Sequence, residues 1–246
     1  MLFRSLIHGR FLAIERQGKY ILLTLAAPGR SEPVRILAHL GMTGRLRLKP
    51  AREPFAQHDR VALHLGDDRL VMEDPRCFGR FTLDLSPLDH LGMEPLAAGF
   101  TIETFSAGLR SSRQAIKVRL LDQSFVAGIG NIYASEALFR ARIHPRRSAR
   151  RLSRDQCQRL HEAIREVLTR AIDHGRVKML MDPGGTDIAG IFYHGNGSKA
   201  PAVPAESGDE FMVYDREGGP CSVCGAPIRR IVQSMRSTYF CGVCQP

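Results

Sequence analysis

Cys221-x-x-Cys224 and Cys241-x-x-Cys244 place four thiols in two pairs, with 16 residues between the pairs. A CxxC turn presents two sulfurs to one ion, and Zn2+ prefers four soft or borderline ligands in a tetrahedron. Four protein ligands leave no open coordination position, so one structural Zn2+ is expected rather than a catalytic one. Gly225 and Gly242 sit where tight knuckles need small residues. A pair of redox-active CxxC motifs is the competing reading, and the ribbon-like spacing favours metal. Arg229, Arg230 and Arg236 lie between the pairs and make the module basic. Such a module binds nucleic acid or braces a neighbour. Cys77 and Cys157 stand apart and read as structural thiols.

The second stretch with chemical content runs from Asp122 to Glu136 through Gly128-Ile129-Gly130-Asn131. Two glycines let the backbone approach a ligand, and Asn131 is a residue type that opens helices. Amides at a helix start, together with the helix dipole, suit a phosphate. A glycine-rich turn before a helix is also a plain turn, and both readings stand at this level. Arg140, Arg142, Arg146, Arg147, Arg150 and Arg151 follow. They fit an anionic partner or a solvated basic face.

These residues need elements to hold them. The chain has 246 residues, 43% of them hydrophobic, which is enough for a buried core. Lys plus Arg total 35 against 25 Asp plus Glu, a formal charge of +10. That excess favours an anionic partner, of which nucleic acid is the commonest. No run approaches the roughly 18 apolar residues that span a membrane, and the N-terminus lacks a signal-peptide pattern. The expected location is cytoplasmic.

Apolar runs at 19–25, 34–40, 45–48, 60–65 and 70–72, separated by Gly, Asp and Pro clusters, predict a β-rich first hundred residues. From about 101 the period turns helical. Ser153-Arg154-Asp155-Gln156 has the form of a capping box, and Leu160, Ala163, Ile164, Val167, Leu168, Ala171 and Ile172 make one apolar stripe behind it. Gly175 is the expected stop. Residues 180–209 read as a linker. The domain expectation is 1–100, 101–206 and 207–246.

Several motifs converge on one family. Residues Asp122–Pro145 resemble the helix–two-turns–helix motif of the formamidopyrimidine-DNA glycosylase and endonuclease VIII family. Arg236-Ser237-Thr238-Tyr239-Phe240-Cys241 is similar to its zinc finger. Asp74-Pro75-Arg76-Cys77-Phe78-Gly79, His39-Leu40-Gly41-Met42-Thr43-Gly44 and Gly18-Lys19-Tyr20 match its β-domain. The resemblance leans to the oxidised-purine branch. It implies an α+β multidomain fold: an N-terminal β-sandwich, a helical domain and a zinc finger.

By the same resemblance the chain is a base-excision repair glycosylase with AP lyase activity. It would be a monomer, bacterial-type and nucleoid-associated, on double-stranded damaged DNA. Met42, Arg76 and Phe78 would fill the gap left by a flipped nucleotide. Lys117, Gly130 and Asn131 would hold DNA beside the lesion, and His58 would touch DNA as well. Lys19 matches the lysine assigned to β-elimination and Arg236 the acid assigned to δ-elimination. Ser112 stands where relatives often carry a DNA-contacting lysine, with Arg113 next to it. Residues 176–206 depart from the family pattern at its lesion-capping loop.

The family nucleophile is an N-terminal proline in a Pro-Glu-Leu-Pro-Glu opening. Among these 246 residues the first proline is Pro28 and the first acid Glu15. The resemblance therefore implies a sandwich without its early helix and first strands. It leaves a second reading, a catalytically inactive damaged-DNA-binding module.

Overall fold

The computed structural model describes Leu6, residues 8–181 and residues 211–246, with residues 174–181 described by backbone alone. Two compact units result. One comprises the described residues up to Asp89 with the helix end from Ala171; the other comprises His90–Arg170 with the C-terminal segment.

The first unit holds seven strands: β1 (Arg10–Gln17), β2 (Tyr20–Ala26), β3 (Val34–His39), β4 (Arg45–Pro50), β5 (Asp59–Leu65), β6 (Asp68–Glu73) and β7 (Arg80–Thr82). They pair antiparallel into two sheets, ordered β1-β2-β3-β7 and β4-β6-β5. Leu23, Leu25, Val34 and Ile36 of the first sheet pack with Leu63 and Leu70 of the second, which makes the sandwich core. The five expected strands are present within a residue or two. β1 and β7 were not legible: β7 has three residues, and β1 is an edge strand with Leu12 and Ile14 exposed. One reading changes in kind. Gln17 pairs with Tyr20, so Lys19 sits with Gly18 (φ 58°) in a two-residue turn, not at the start of a strand. A short helix, α1 (Ser86–Asp89), ends the unit's N-terminal part.

The second unit is helical: α2 (Ile102–Arg110), α3 (Ile116–Leu121), α4 (Asn131–Arg140) and, as far as Arg170, α5 (Arg154–Met181). Phe105, Leu109, Ile116, Leu120, Ile129, Leu138, Leu160 and Ile164 are its fully buried centre. The predicted box forms: the Gln156 amide donates to Ser153 Oγ at 3.2 Å and the Ser153 amide to Gln156 Oε1 at 3.1 Å. Gly175 does not stop the helix, which runs on to Met181. One glycine costs a helix only about 1 kcal/mol, too little to end it alone. Of the expected linker at 180–209, the first two residues are helical and the rest lies outside the described residues.

A hairpin of β8 (Ile228–Gln233) and β9 (Arg236–Cys241) closes the chain. Gln233 pairs with Arg236, leaving Ser234 (φ 47°) and Met235 (φ 59°) as a two-residue tip. Phe139 of α4 joins Val213, Ile228 and Tyr239 in a small core under the hairpin. Among the described residues no helix is long and apolar enough to cross a membrane.

Candidate functional site

In the first unit, two adjoining loops carry most of the expected DNA-contacting side chains. Met42 is 44% and Phe78 54% exposed, so neither fills the core, the default place for such residues. The Arg76 guanidinium lies 4.9 Å from the Phe78 ring centroid, a cation–π contact that presents charge and apolar plate together. Cys77 between them, read as a structural thiol, is exposed with φ 55°, whereas Cys157 is buried. Gly41 (φ 63°) lies so close that an added Cβ would meet the Phe78 carbonyl carbon at 2.7 Å. The two loops therefore touch backbone to backbone. His58 stands half-buried at the entry to β5.

Lys19 has a neighbour that the sequence did not single out. His39 pairs with Tyr20, and their rings stand 4.9 Å apart. Its Nδ1 accepts the Gly41 amide at 3.1 Å. Burial first, then the Lys19 and Arg80 charges, push the His39 pKa down. The imidazole beside the Lys19 amine is thus favoured neutral.

The second unit brings Lys117, Asn131 and the strand that begins at Arg236 together. Lys117 of α3 is fully buried, and its Nζ donates to Asn131 Oδ1 (2.7 Å), Thr238 Oγ1 (2.7 Å) and the Ser237 carbonyl (3.0 Å). Three acceptors match the three donors of an ammonium. Asn131 Nδ2 donates to the same Ser237 carbonyl at 3.0 Å. Gly130, not Asn131, is the cap residue of α4, so the Asn131 side chain is free to face the hairpin. Register puts Arg236, Gln233 and Thr238 on one hairpin face, the face that meets Lys117. Burial, and after it the Arg236 charge, lower the Lys117 pKa to about 7.

The turns between α3 and α4 are stapled by one side chain. Gln123 Nε2 donates to the carbonyls of Leu121 and Ile129, both at 3.0 Å, while its Oε1 accepts the Gly128 amide at 3.0 Å. Gly128, with φ 85°, takes the left-handed conformation the turn needs.

The four cysteine sulfurs lie within 4.8 Å of one another, with Cys221–Cys244 at 3.9 Å and Cys224–Cys241 at 3.5 Å. Four sulfurs about 2.3 Å from one ion form a tetrahedron with edges of about 3.8 Å. The set fits one structural Zn2+. Gly225 has φ 74° as a knuckle requires, whereas Gly242 leaves room for the Arg229 side chain. Burial opposes the Cys241 thiolate, but the Cys244 and Val243 amides together with the Cys224 and Cys221 thiols outweigh it and bring that thiol down to about 7. Gln245, fully buried, ties the knuckle to the α4 corner: its Oε1 accepts the Cys241 amide and its Nε2 donates to the Ile143 carbonyl, both at 2.9 Å.

Glu136 is the other anchor that sequence reasoning missed. A glutamate on a helix is ordinarily solvated, yet Glu136 is 5% exposed. Its carboxylate accepts the amides of Met212, Val213 and Tyr214 at 2.9, 3.0 and 2.9 Å, fixing the segment that leads into the finger. In Glu136→Gln an N–H faces an amide N–H and the charge is lost. We expect a cost of about 2–3 kcal/mol, read as a lower thermal midpoint with zinc bound. An unchanged midpoint would remove Glu136 from the anchoring of the finger.

Comparison with known proteins covers the same three regions in order. Residues 2–81 match the formamidopyrimidine-DNA glycosylase N-terminal domain, 91–181 its H2TH domain, and 218–246 the zinc finger found in FPG and IleRS. The formamidopyrimidine-DNA glycosylase of Thermus thermophilus is 39% identical over 243 residues, covering 96% of this chain and 82% of that protein. That of Syntrophotalea carbinolica is 42% identical over 242 residues, with the same coverage of 96% and 82%. Among solved structures, MutM (Fpg) from Thermus thermophilus superposes with a TM-score of 0.75 at 40% identity, over 96% of this chain and 83% of that one. The complex of Lactococcus lactis Fpg with abasic-site DNA gives 0.80 at 31% identity, over 99% and 85%. With sandwich, helix–two-turns–helix and four-cysteine finger matched in one order and at this identity, the chain belongs to the formamidopyrimidine-DNA glycosylase family.

Proposed function

We propose that this protein is a base-excision repair DNA glycosylase with AP lyase activity, acting on oxidised purines in double-stranded DNA. The observation that carries the reading is the exposed Met42, Arg76 and Phe78 cluster: two apolar side chains and a guanidinium held together on mutually braced loops have the make-up of a wedge inserted between bases. Glycosylases extrude the target nucleotide, and the vacated stack must be filled. Met42 and Phe78 supply the apolar plate, and Arg76 supplies donors for the orphaned base. His58, Gly130 and Asn131 hold the sugar-phosphate backbone, and Lys117, buried with its three donors engaged, acts on it through its charge and its hold on Asn131. Three working modules, 1–100, 101–206 and 207–246, divide these tasks. The protein acts as a monomer in the cytoplasm, on nucleoid DNA.

The chemistry requires an unprotonated amine at the sugar C1′. Attack at C1′ by an amine of this chain, Met1 or Lys19 first, displaces the base and opens the ring to an imine. Loss of a C2′ proton then expels the 3′ phosphate, and a further elimination expels the 5′ phosphate. Lys19 is the amine of the β-step, with His39 beside it, and Arg236 acts at the δ-step.

Borohydride trapping on a duplex with one abasic site tests this. Hydride reduces the imine to a stable amine and leaves protein bonded to DNA. We expect an adduct with the wild-type chain, and strand scission reduced in Lys19→Ala. Retained binding to abasic-site DNA with no adduct would replace this reading by that of a damaged-DNA-binding module.

A further inference from the structure

Asp74, the first residue of the loop Asp74–Gly79, is 1% exposed and has every polar atom occupied. Oδ1 accepts the Thr43 hydroxyl at 2.6 Å and the Arg76 amide at 3.3 Å, and Oδ2 accepts the Gly79 amide at 2.7 Å. Its own amide donates to the His58 carbonyl at 2.9 Å, and its carbonyl accepts Arg60 Nε at 3.0 Å. One residue thus touches the loop of Met42, the loop of Arg76 and Phe78, and His58.

We infer that Asp74 is a positioning residue that locks the Met42 loop and the Arg76–Phe78 loop in a single register, so that both enter DNA as one wedge. The inference rests on the wedge reading above and adds a residue to it that touches no DNA itself. The geometry makes the lock specific. The carboxylate closes its own loop by holding both ends, Arg76 and Gly79. Its remaining strong bond goes across to Thr43, the residue after Met42. Gly41 and Phe78 then meet backbone to backbone, with no room for a Cβ, so a slip of either loop displaces the other. Hydrogen bonds to an ionised carboxylate are the stronger kind, and a buried one has no water to replace a lost partner.

Thr43 provides a test that spares the buried carboxylate. Thr43→Val keeps shape and removes only the donor to Asp74, whereas Thr43→Ser keeps the donor. Affinities of the zinc-loaded full chain are measured for a duplex carrying a tetrahydrofuran abasic analogue and for the same duplex undamaged. Thr43→Val is expected to cut the preference for the lesion by about tenfold. Undamaged-DNA affinity should stay at the wild-type value, while the thermal midpoint falls only by what one orphaned carboxylate bond accounts for. Thr43→Ser should retain the preference, and Asp74→Asn should lose more of it than Thr43→Val. An equal loss on both duplexes with a larger fall in midpoint would overturn the inference, because it describes a structural buttress. Wild-type preference in Thr43→Val, with preference lost in Met42→Ala and Arg76→Ala, would overturn it too. If Met42→Ala and Arg76→Ala also keep the preference, the wedge reading itself fails, a different and separately visible result.

Discussion

Stripping the metal from the four-cysteine site lowers affinity for abasic-site DNA at least about a hundredfold and leaves the β-sandwich folded. Residues 211–246 are too few to bury a core of their own. Their cluster counts Cys221 and Cys241 among its buried members, so the ion's ligands are also its packing. Structural zinc contributes about 10–16 kcal/mol of apparent folding energy in isolated fingers, far more than this small cluster supplies. Loss of the hairpin also removes two of the three acceptors of Lys117, the Ser237 carbonyl and Thr238 Oγ1. The group proposed to hold the DNA phosphate is then dismantled together with the finger. The measurement is DNA affinity against zinc released to a metallochromic dye, with circular dichroism to follow the strands. Full affinity after one equivalent of zinc has left would show that the finger is no part of the grip.

Lys117→Met produces the second largest effect, and its signature is in the pH dependence. Removing the ammonium leaves the half-buried Asn131 Oδ1 and the buried Thr238 Oγ1 without their donor, which costs about 2–4 kcal/mol of stability. The DNA effect has its own sign. Burial and then Arg236 lower the folded pKa to about 7, while the unfolded lysine titrates near 10.5. Between these values the unfolded chain holds more protons, so this group makes the free protein more stable as pH rises through that window. A phosphate needs the charged form. Affinity for DNA should therefore fall as pH rises through about 7 in the wild type, and the slope should flatten in Lys117→Met. Affinity of the variant at pH 6 should be lower by at least about tenfold. A wild-type profile flat from pH 6 to 8 would mean that Lys117 is a brace only.

The sequence made legible whatever is encoded by local pattern. The CxxC spacing gave the metal site, alternating apolar runs gave five strands, and the Ser153–Gln156 box gave the start of the long helix. Lys117, Asn131 and Arg236 were named by family resemblance, but their convergence on Ser237 depends on contacts more than a hundred residues apart in the chain. Asp74, Glu136 and Gln245 escaped notice for a related reason. Glu136 and Gln245 hold backbone atoms of a distant segment, which leave no mark in a sequence, and Asp74 joins the amides of its own loop to a Thr43 hydroxyl from another loop. Lys19 was misplaced by one position, since Gly18-Lys19 has no strong turn signature and is followed at once by an apolar run.

The double hold on the Ser237 carbonyl bears on how the protein tolerates heritable change. Lys117 and Asn131 grip a main-chain oxygen that every residue type supplies. A change of side chain at position 237 costs only the exposed bond that its hydroxyl accepts from Arg230 Nε at 3.0 Å, and the hold on the carbonyl stays. Position 238 has no such freedom, because there the grip is on a hydroxyl. Adjacent residues on one strand thus experience opposite mutational freedom, and the pair that forms the grip is the part that selection must guard.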